Sequence, residues 1–563
     1  MTEPGSSGGV RRRAVLKALG GLGLGGPVLH RAVAAAAVDG DVTPEMVQQA
    51  EWIAGIEFTD AERLQVAIAA TESLADFDAL RGVEIDYDVL PAIQFNPAPG
   101  LAPAGEVARN RAAPSPSSPV ERPADDEDLA FLPVSRLASL VRSRKVSSVE
   151  LTRLYLGRLK RFDPLLKCVV TLTEDVALRQ AEAADAEIAT GRYRGPLHGI
   201  PWGAKDLIAY PGHPTTWGAP QFRTRVLDAK ATVAERLEEA GAVLVAKLSL
   251  GALAMGDEWH GGMTRNPWDP RVGSSGSSAG SAAATAAGLV GFAIGSETMG
   301  SIVSPSRVCG TAGLRPTFGR VSRHGCMSLA WTLDKLGPIA RSVEDCALIL
   351  DAIHGRDGLD PTAVDEPFAW PPSGGLSRIR VGVPNVEGKP TDDRDDARVL
   401  RALGFEVVPI DLPTRYPAGA IALMLGVEAA TMFDDFTRRH EEEGLNGWPE
   451  TFRVHQFTPA IEYLRAARAR TLLMRDMGAL FDEIDVFLSR GSDDLVITNL
   501  TGHPSITFPV GLREREGRRL PRTITLSGRL YDESTLLAVA MAYESAVADP
   551  SRRPPIARFL AGR

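Results

Sequence analysis

Positions 273–281 contain only serine, glycine and one alanine. Taken alone, such a stretch is a flexible linker. Its surroundings argue otherwise. It runs directly into the alanine-rich residues 282–288, which start a helix, and then into the apolar residues 289–294. Linkers rarely sit between apolar elements deep inside a domain. The serines are therefore expected on a rigid scaffold, with glycines that let backbone N–H groups come close to a reacting carbonyl.

Two further motifs give these serines a chemistry. Gly203-Ala204-Lys205-Asp206 lies upstream, and Glu297-Thr298-Met299-Gly300-Ser301 lies downstream. In Ser-Lys variants of acyl transfer a neutral lysine does the work of histidine. Most lysines are solvated surface groups; two serine motifs in the same frame set Lys205 apart. To act as a base, Lys205 must lose its proton well below the free value near 10.4. Burial beside Ile200, Pro201 and Trp202 would push it down. Asp206 next door would push it up, unless its side chain points elsewhere. The frame reads as a serine hydrolase acting on amides.

The motifs continue along the chain. They include Leu197-His198-Gly199-Ile200-Pro201, Gly276-Ser277-Ser278-Ala279-Gly280-Ser281, Gly300-Ser301-Ile302, Gly313-Leu314-Arg315-Pro316-Thr317, Leu333-Asp334-Lys335-Leu336-Gly337-Pro338 and Asn499-Leu500-Thr501-Gly502-His503-Pro504-Ser505. Together they resemble the amidase signature family over roughly residues 129–550. The resemblance implies a Ser-Ser-Lys triad: Ser301 as nucleophile, Ser277 as the bridging serine on a cis peptide bond, and Lys205 as the ultimate base. It also implies an oxyanion site around the backbone of Thr298, Met299 and Gly300, with Ser278 in support. The substrate would be a small-molecule amide, split to an acid and an amine or ammonia, with no cofactor and no metal. The family usually reads Asp-Thr-Gly-Gly-Ser where this chain has Glu297 to Ser301. Ser275 and Ala279 replace glycines, and Val303 stands where arginine is common. Methionine resists positive φ, so Met299 is expected to alter the oxyanion loop locally or to line the acyl pocket. That pocket is expected to draw on Met299, residues 327–331, Met424, Met432 and Phe433.

Along the chain, Arg12-Arg13-Ala14-Val15-Leu16-Lys17 reads as a twin-arginine signal, and Ala32-Val33-Ala34 as its cleavage site. Cleavage after Ala34 would take the formal net charge from −9 to −13. The expectation is an exported protein, periplasmic or secreted, whose partner is the twin-arginine export machinery. No later stretch is long and apolar enough for a membrane anchor, and no basic run beyond the N-terminus points to nucleic acid. The four cysteines form no C-x-x-C pair and the nine histidines no H-E-x-x-H, so neither a zinc ribbon nor a metalloprotease is indicated. Thr43-Pro44 and the capping box Thr59-Asp60-Ala61-Glu62 each open a helix. The expected domains are a signal over 1–34, a helical extension over 43–96, a proline-rich linker over 97–128, a catalytic domain over 129–550 and a tail over 551–563. The linker, with seven prolines between 97 and 123, should not pack a core, and the acidic run 125–128 should be a solvated face. Near-continuous apolar strands at 168–172, 242–246, 380–383 and 505–509 alternate with helical patterns at 134–144, 148–161 and 175–190. That pattern predicts an α/β fold, a central mixed sheet covered by helices on both faces. Residues 398–488 should be mainly helical.

Three alternatives compete with a free-standing amidase. Gly276-Ser277-Ser278-Ala279-Gly280 also fits a G-x-S-x-G elbow, with Ser278 as nucleophile and His503 as base. Such an elbow leaves a strand, whereas residues 266–271 read as a turn. The second alternative is a glutamine amidotransferase A-like subunit of the same family; export would separate it from tRNA. The third is a catalytically degenerate amidase-fold binding protein, which intact Lys205, Ser277 and Ser301 argue against.

Overall fold

Strands that are apolar on both faces need cover on both faces. The computed structural model describes residues 41–84, 93, 112–115, 120–372, 376, 378–385, 395–489, 492–515, 517–547 and 552–561. The proposed signal segment and most of the proline-rich stretch lie outside them. The strands are β1 (Val169–Leu172), β2 (Pro201–Lys205), β3 (Val243–Leu248), β4 (Glu258–Trp259), β5 (Gly262–Met263), β6 (Arg265–Asn266), β7 (Asp269–Gly273), β8 (Phe292–Glu297), β9 (Ala312–Arg315), β10 (Lys335–Ala340), β11 (Arg380–Pro384), β12 (Glu406–Ile410), β13 (Val486–Ser489), β14 (Ser505–Arg515) and β15 (Arg518–Gly528). Eleven of them form one mixed sheet in the order β1-β3-β2-β8-β10-β9-β14-β15-β13-β11-β12. β2, β3, β8, β9 and β10 are buried along their whole length.

The alternation of side chains separates the two faces. Leu244, Trp202, Phe292 and Ile294 pack in one cluster with Ile349, Leu350 and Ile353 of the helix Val343–Ile353. Val243, Val245 and Ala293 pack in another with Leu156, Leu159 and Phe162 of the helix Ser148–Leu166 and with Ala283 and Ala284. The α/β expectation therefore holds. Each sequence-marked strand is present, and β14 runs on well past Pro509 to Arg515.

The N-terminal pair of helices is also as expected. Thr43 caps Pro44–Ala54, and Thr59 with Glu62 forms the capping box of Asp60–Arg81. The pair is docked on the main body. Arg81 meets Glu462 at 2.8 Å and Arg453 meets Glu62 at 2.6 Å, while the Phe58 and Phe457 rings meet edge-on at 6.2 Å. Phe58 is buried with Val47, Val66 and Ala67 in a small cluster of its own. Phe58→Ala is expected to remove about 3–5 kcal/mol of packing there. Hydrogen exchange over residues 44–81 should then quicken while exchange in β2, β3 and β8 stays slow.

Two expectations need correction. Residues 112 and 120 of the supposed linker are in the core: Ala112 and Val120 are buried, and the Ala112 N–H donates to Asp351 Oδ2 at 2.8 Å. The acidic run is solvated as expected, with Asp125, Asp126 and Asp128 exposed, and it also starts a helix: Asp125 caps Asp126–Ala130, Glu127 pairs with Arg158, Asp126 with Arg122 at 2.8 Å and Asp128 with Arg553 at 2.5 Å. Residues 266–271 are not a plain turn, since β6 and β7 form a short antiparallel hairpin leading into Ser274. The C-terminal stretch also packs, with Ile556 buried against the helix Ser148–Leu166. Among the described residues no helix is long and apolar enough to cross a membrane.

Candidate active site

β2 and β8 are parallel neighbours, so their carboxyl ends lie side by side. In open α/β sheets that edge is where ligands bind. Lys205 ends β2, and Ser296 and Glu297 end β8. Ser277 and Ser278 arrive from the hairpin side, immediately before the helix Ala279–Ala286. Gly276 has to be glycine: a Cβ there would lie 1.8 Å from the Gly256 carbonyl oxygen. The Gly276–Ser277 peptide is cis, as the resemblance implied. Ser275, standing where a glycine is usual, keeps a glycine-like φ of 61°, at a cost of roughly 1–2 kcal/mol. Its N–H donates to Asp257 Oδ2 at 2.8 Å.

Lys205 is fully buried, with Nζ 2.8 Å from Ser277 Oγ, 2.8 Å from Ser296 Oγ, 3.1 Å from Ser278 Oγ and 3.3 Å from the Ser296 carbonyl. Burial pushes its pKa down to about 7, against the upward pull of Asp334 and Glu297. Asp206 does point elsewhere. It pairs with Lys247 at 2.8 Å and accepts from the Thr216 N–H, also at 2.8 Å.

Hydrogen-bond direction separates the two serines. The Ser278 hydroxyl donates to the Ser296 carbonyl at 3.0 Å and accepts from the Ser296 N–H at 3.1 Å. Its proton is committed, so toward Lys205 it can only accept. Among the described residues Ser277 Oγ has no such tie, and it is free to give its proton to Nζ. Ser296, unnoticed in the sequence, is the third hydroxyl around the lysine; its position one residue before the Glu297 motif was the available signal.

Ser301 is half-buried, and its carbonyl accepts the Ser278 N–H at 3.1 Å. Glu297 closes the loop that carries it. Its Oε2 accepts the N–H groups of Ile302 and Val303 at 2.8 and 2.9 Å, while Oε1 accepts from Arg315 at 2.8 Å and Asn499 at 2.9 Å. Burial pushes the Glu297 carboxyl up, but Arg315, Lys335 and the Val303 N–H together bring it below its ordinary value. Thr298 Oγ1 donates to Asp334 Oδ1 at 2.6 Å, and Lys335 Nζ donates to Asn499 Oδ1 at 2.8 Å. Glu297, Arg315, Asn499 and Lys335 thus form one buried chain under the loop. Positive φ falls at Gly300 (112°), not at Met299. Among the described residues, the N–H groups of Met299, Gly300 and Ser301 meet no acceptor, which leaves them available to an oxyanion. Glu297→Ala would leave Arg315 buried without its carboxylate, keeping only neutral partners in the His503 carbonyl and Ser505 Oγ, and the expected cost is about 3–5 kcal/mol. A urea titration reads this as a lower midpoint.

The acyl-pocket expectation holds only in part. A cavity of about 240 Å³ reaches Ser296 and Thr298 and is lined by Met327, Ser328 and Leu329. Met299 instead packs against the cluster of Phe77, Leu80 and Leu333, Met424 is fully buried in that cluster, Phe433 is buried among aromatic rings, and Met432 is exposed. The elbow alternative fails for a reason other than the one the sequence offered. A strand does precede the serines, but His503 is buried, bonded through Nδ1 to Thr501 at 2.8 Å and stacked on Phe481. Burial and Arg315 push its pKa down to about 3.

A mixed sheet with a buried lysine and serines gathered at its carboxyl edge brings together the groups that serine–lysine acyl transfer uses. The chain belongs to the amidase signature family: the Amidase family model matches residues 150–492. It is 34% identical to the A subunit of glutamyl-tRNA(Gln) amidotransferase from Chloroflexus aurantiacus, covering 76% of this chain and 99% of the relative. Its identity with the Geobacter metallireducens protein of the same name is also 34%, over 75% and 98%. Among solved structures, the peptide amidase of Stenotrophomonas maltophilia aligns with a TM-score of 0.63 at 30% identity, over 75% of this chain and 98% of that one.

Proposed function

We propose that this chain cleaves the C–N bond of carboxylic amides through an acyl-enzyme on Ser301. The observation that carries the reading is Lys205, buried and bonded to the Ser277 hydroxyl. Neutral Lys205 takes the proton of Ser277 as Ser277 takes that of Ser301. Ser301 Oγ attacks the carbonyl, and the N–H groups of Met299, Gly300 and Ser301 receive the oxyanion. Lys205 and Ser277 then return the proton to the leaving amine, and water frees the acid.

Two fates of the released nitrogen follow. The names of the curated relatives favour a glutamine-cleaving amidotransferase subunit, since the match spans 99% of the relative's length. The peptide amidase likeness and the twin-arginine-like N-terminus favour a free-standing, exported amidase. Ammonia release by the purified chain tests both. Glutamine turnover well above that of other primary amides supports the subunit reading. Turnover of peptide or alkyl amides with glutamine inert supports the amidase. No turnover and no fluorophosphonate labelling would favour the degenerate binding protein. Cell fractionation of the expressed full chain tests export.

A further inference from the structure

Two chambers open at the active-site edge of the sheet. The smaller, of about 240 Å³, touches Ser296 and Thr298. The larger, of about 550 Å³, lies beside β9 and β14, past Thr317 and Gly502. Arg323 and Pro361 line both, so the chambers share a wall. That wall is braced: Arg323 pairs with Asp360 at 3.0 Å and donates to the Trp331 carbonyl at 2.7 Å and to Thr362 Oγ1 at 2.8 Å.

The larger chamber is surfaced by Phe318, Trp331, Met474, Leu530 and Tyr531. Most of its polar members are already committed, although the Thr317 hydroxyl, which accepts the Tyr531 N–H at 2.8 Å, keeps its own proton free. Arg470 donates to the Leu500 carbonyl and to both oxygens of Thr332. Thr332 Oγ1 donates to Glu428, Thr501 Oγ1 to the Ile497 carbonyl, and the Tyr531 hydroxyl to the Phe318 carbonyl. A polar or charged group entering here would lose water and find few free partners, which is unfavourable. An apolar group meets no such penalty. Small-molecule sites ordinarily occupy about 300–1,000 Å³. The smaller chamber falls below that range and the larger within it.

We propose that the larger chamber is a substrate subsite for an uncharged apolar substituent, aryl or alkyl, of an amide whose C–N bond lies by the smaller chamber. This rests on the hydrolase reading above. Met474 and Leu530 sit at its exposed rim, so enlarging either should be tolerated by the fold. The test is calorimetric binding to the full chain carrying Ser301→Ala, which holds ligand without turning it over. Acetamide is compared with 4-phenylbutyramide, phenyl on the acyl side, and with N-(3-phenylpropyl)acetamide, phenyl on the amine side. One phenyl amide should bind at least tenfold tighter than acetamide, and Met474→Trp or Leu530→Trp should reduce that ratio at least fivefold. Equal affinity for all three, or a ratio that survives both tryptophans, would overturn the subsite. Tryptophan-sensitive binding of an amide that the wild-type chain never cleaves would overturn the hydrolase reading instead.

Discussion

Ser301→Ala is expected to lower kcat for amide hydrolysis by about 10⁴–10⁶-fold, the scale seen when a catalytic serine is removed from a unit that acts together. The residual rate would come from the oxyanion site and from binding alone. The fold should not suffer. Ser301 is half-buried, and the contact it makes with Ser278 runs through its carbonyl, which alanine keeps. Its denaturation midpoint should match wild type, since a substitution without a core or network role stays within about 0.5 kcal/mol. Fluorophosphonate labelling followed by peptide mapping gives the direct readout. The wild-type chain should carry the label on Ser301, and the variant should carry none. A label that persists in the variant and maps to Ser278 would overturn the assignment. Ser278→Ala should behave differently: its hydroxyl ties the start of the helix Ala279–Ala286 to Ser296. Loss of that tie leaves the buried Ser296 N–H without a partner, while the carbonyl keeps Lys205, and stability should fall by about 1–3 kcal/mol.

The sheet was legible because its strands are apolar runs bounded by helices with clear starts, as at Val243–Leu248 and Ser148–Leu166. Lys205, Ser277 and Ser278 were legible through their motifs, and the structure gathers them within hydrogen-bonding reach. What sequence could not give was direction. Whether Ser277 or Ser278 is free to release a proton depends on the bonds Ser278 makes to Ser296, 18 positions away, which the neighbouring Glu297 motif marks only by position. The chain under the Ser301 loop joins Glu297 to Asn499, 202 positions away, and no local pattern encodes that pairing. Proline density misled for a related reason. Composition disfavours packing on average, yet Ala112 and Val120 are placed by specific partners, Asp351 and Lys145.

Lys205→Met should separate the catalytic and structural consequences of burying a lysine. Activity should fall about 10⁴-fold, because Ser277 then has no acceptor for its proton. The pH profile carries a second signature. Only neutral Lys205 accepts a proton, and its pKa in the folded chain is depressed to about 7. Wild-type kcat/KM should therefore rise about tenfold per pH unit below 7 and level off above it. The residual rate of the variant should lack that limb. Stability runs through the same group. Between pH 7 and the free value near 10.4, the unfolded chain binds a proton at this lysine that the folded chain does not, so wild-type stability rises with pH across that window. Below 7 the full cost of burying the lysine is present, of the order of a few kcal/mol. Methionine removes it. Relative to wild type, the variant should therefore gain most stability at pH 6, and the gain should shrink by a few kcal/mol toward pH 10. Groups common to both proteins cancel in that difference. Denaturant titrations at pH 6, 8 and 10 check it. Curves for the two proteins that stay parallel across all three would mean that Lys205 keeps an ordinary pKa in the folded chain, and the neutral-base role would fall with it.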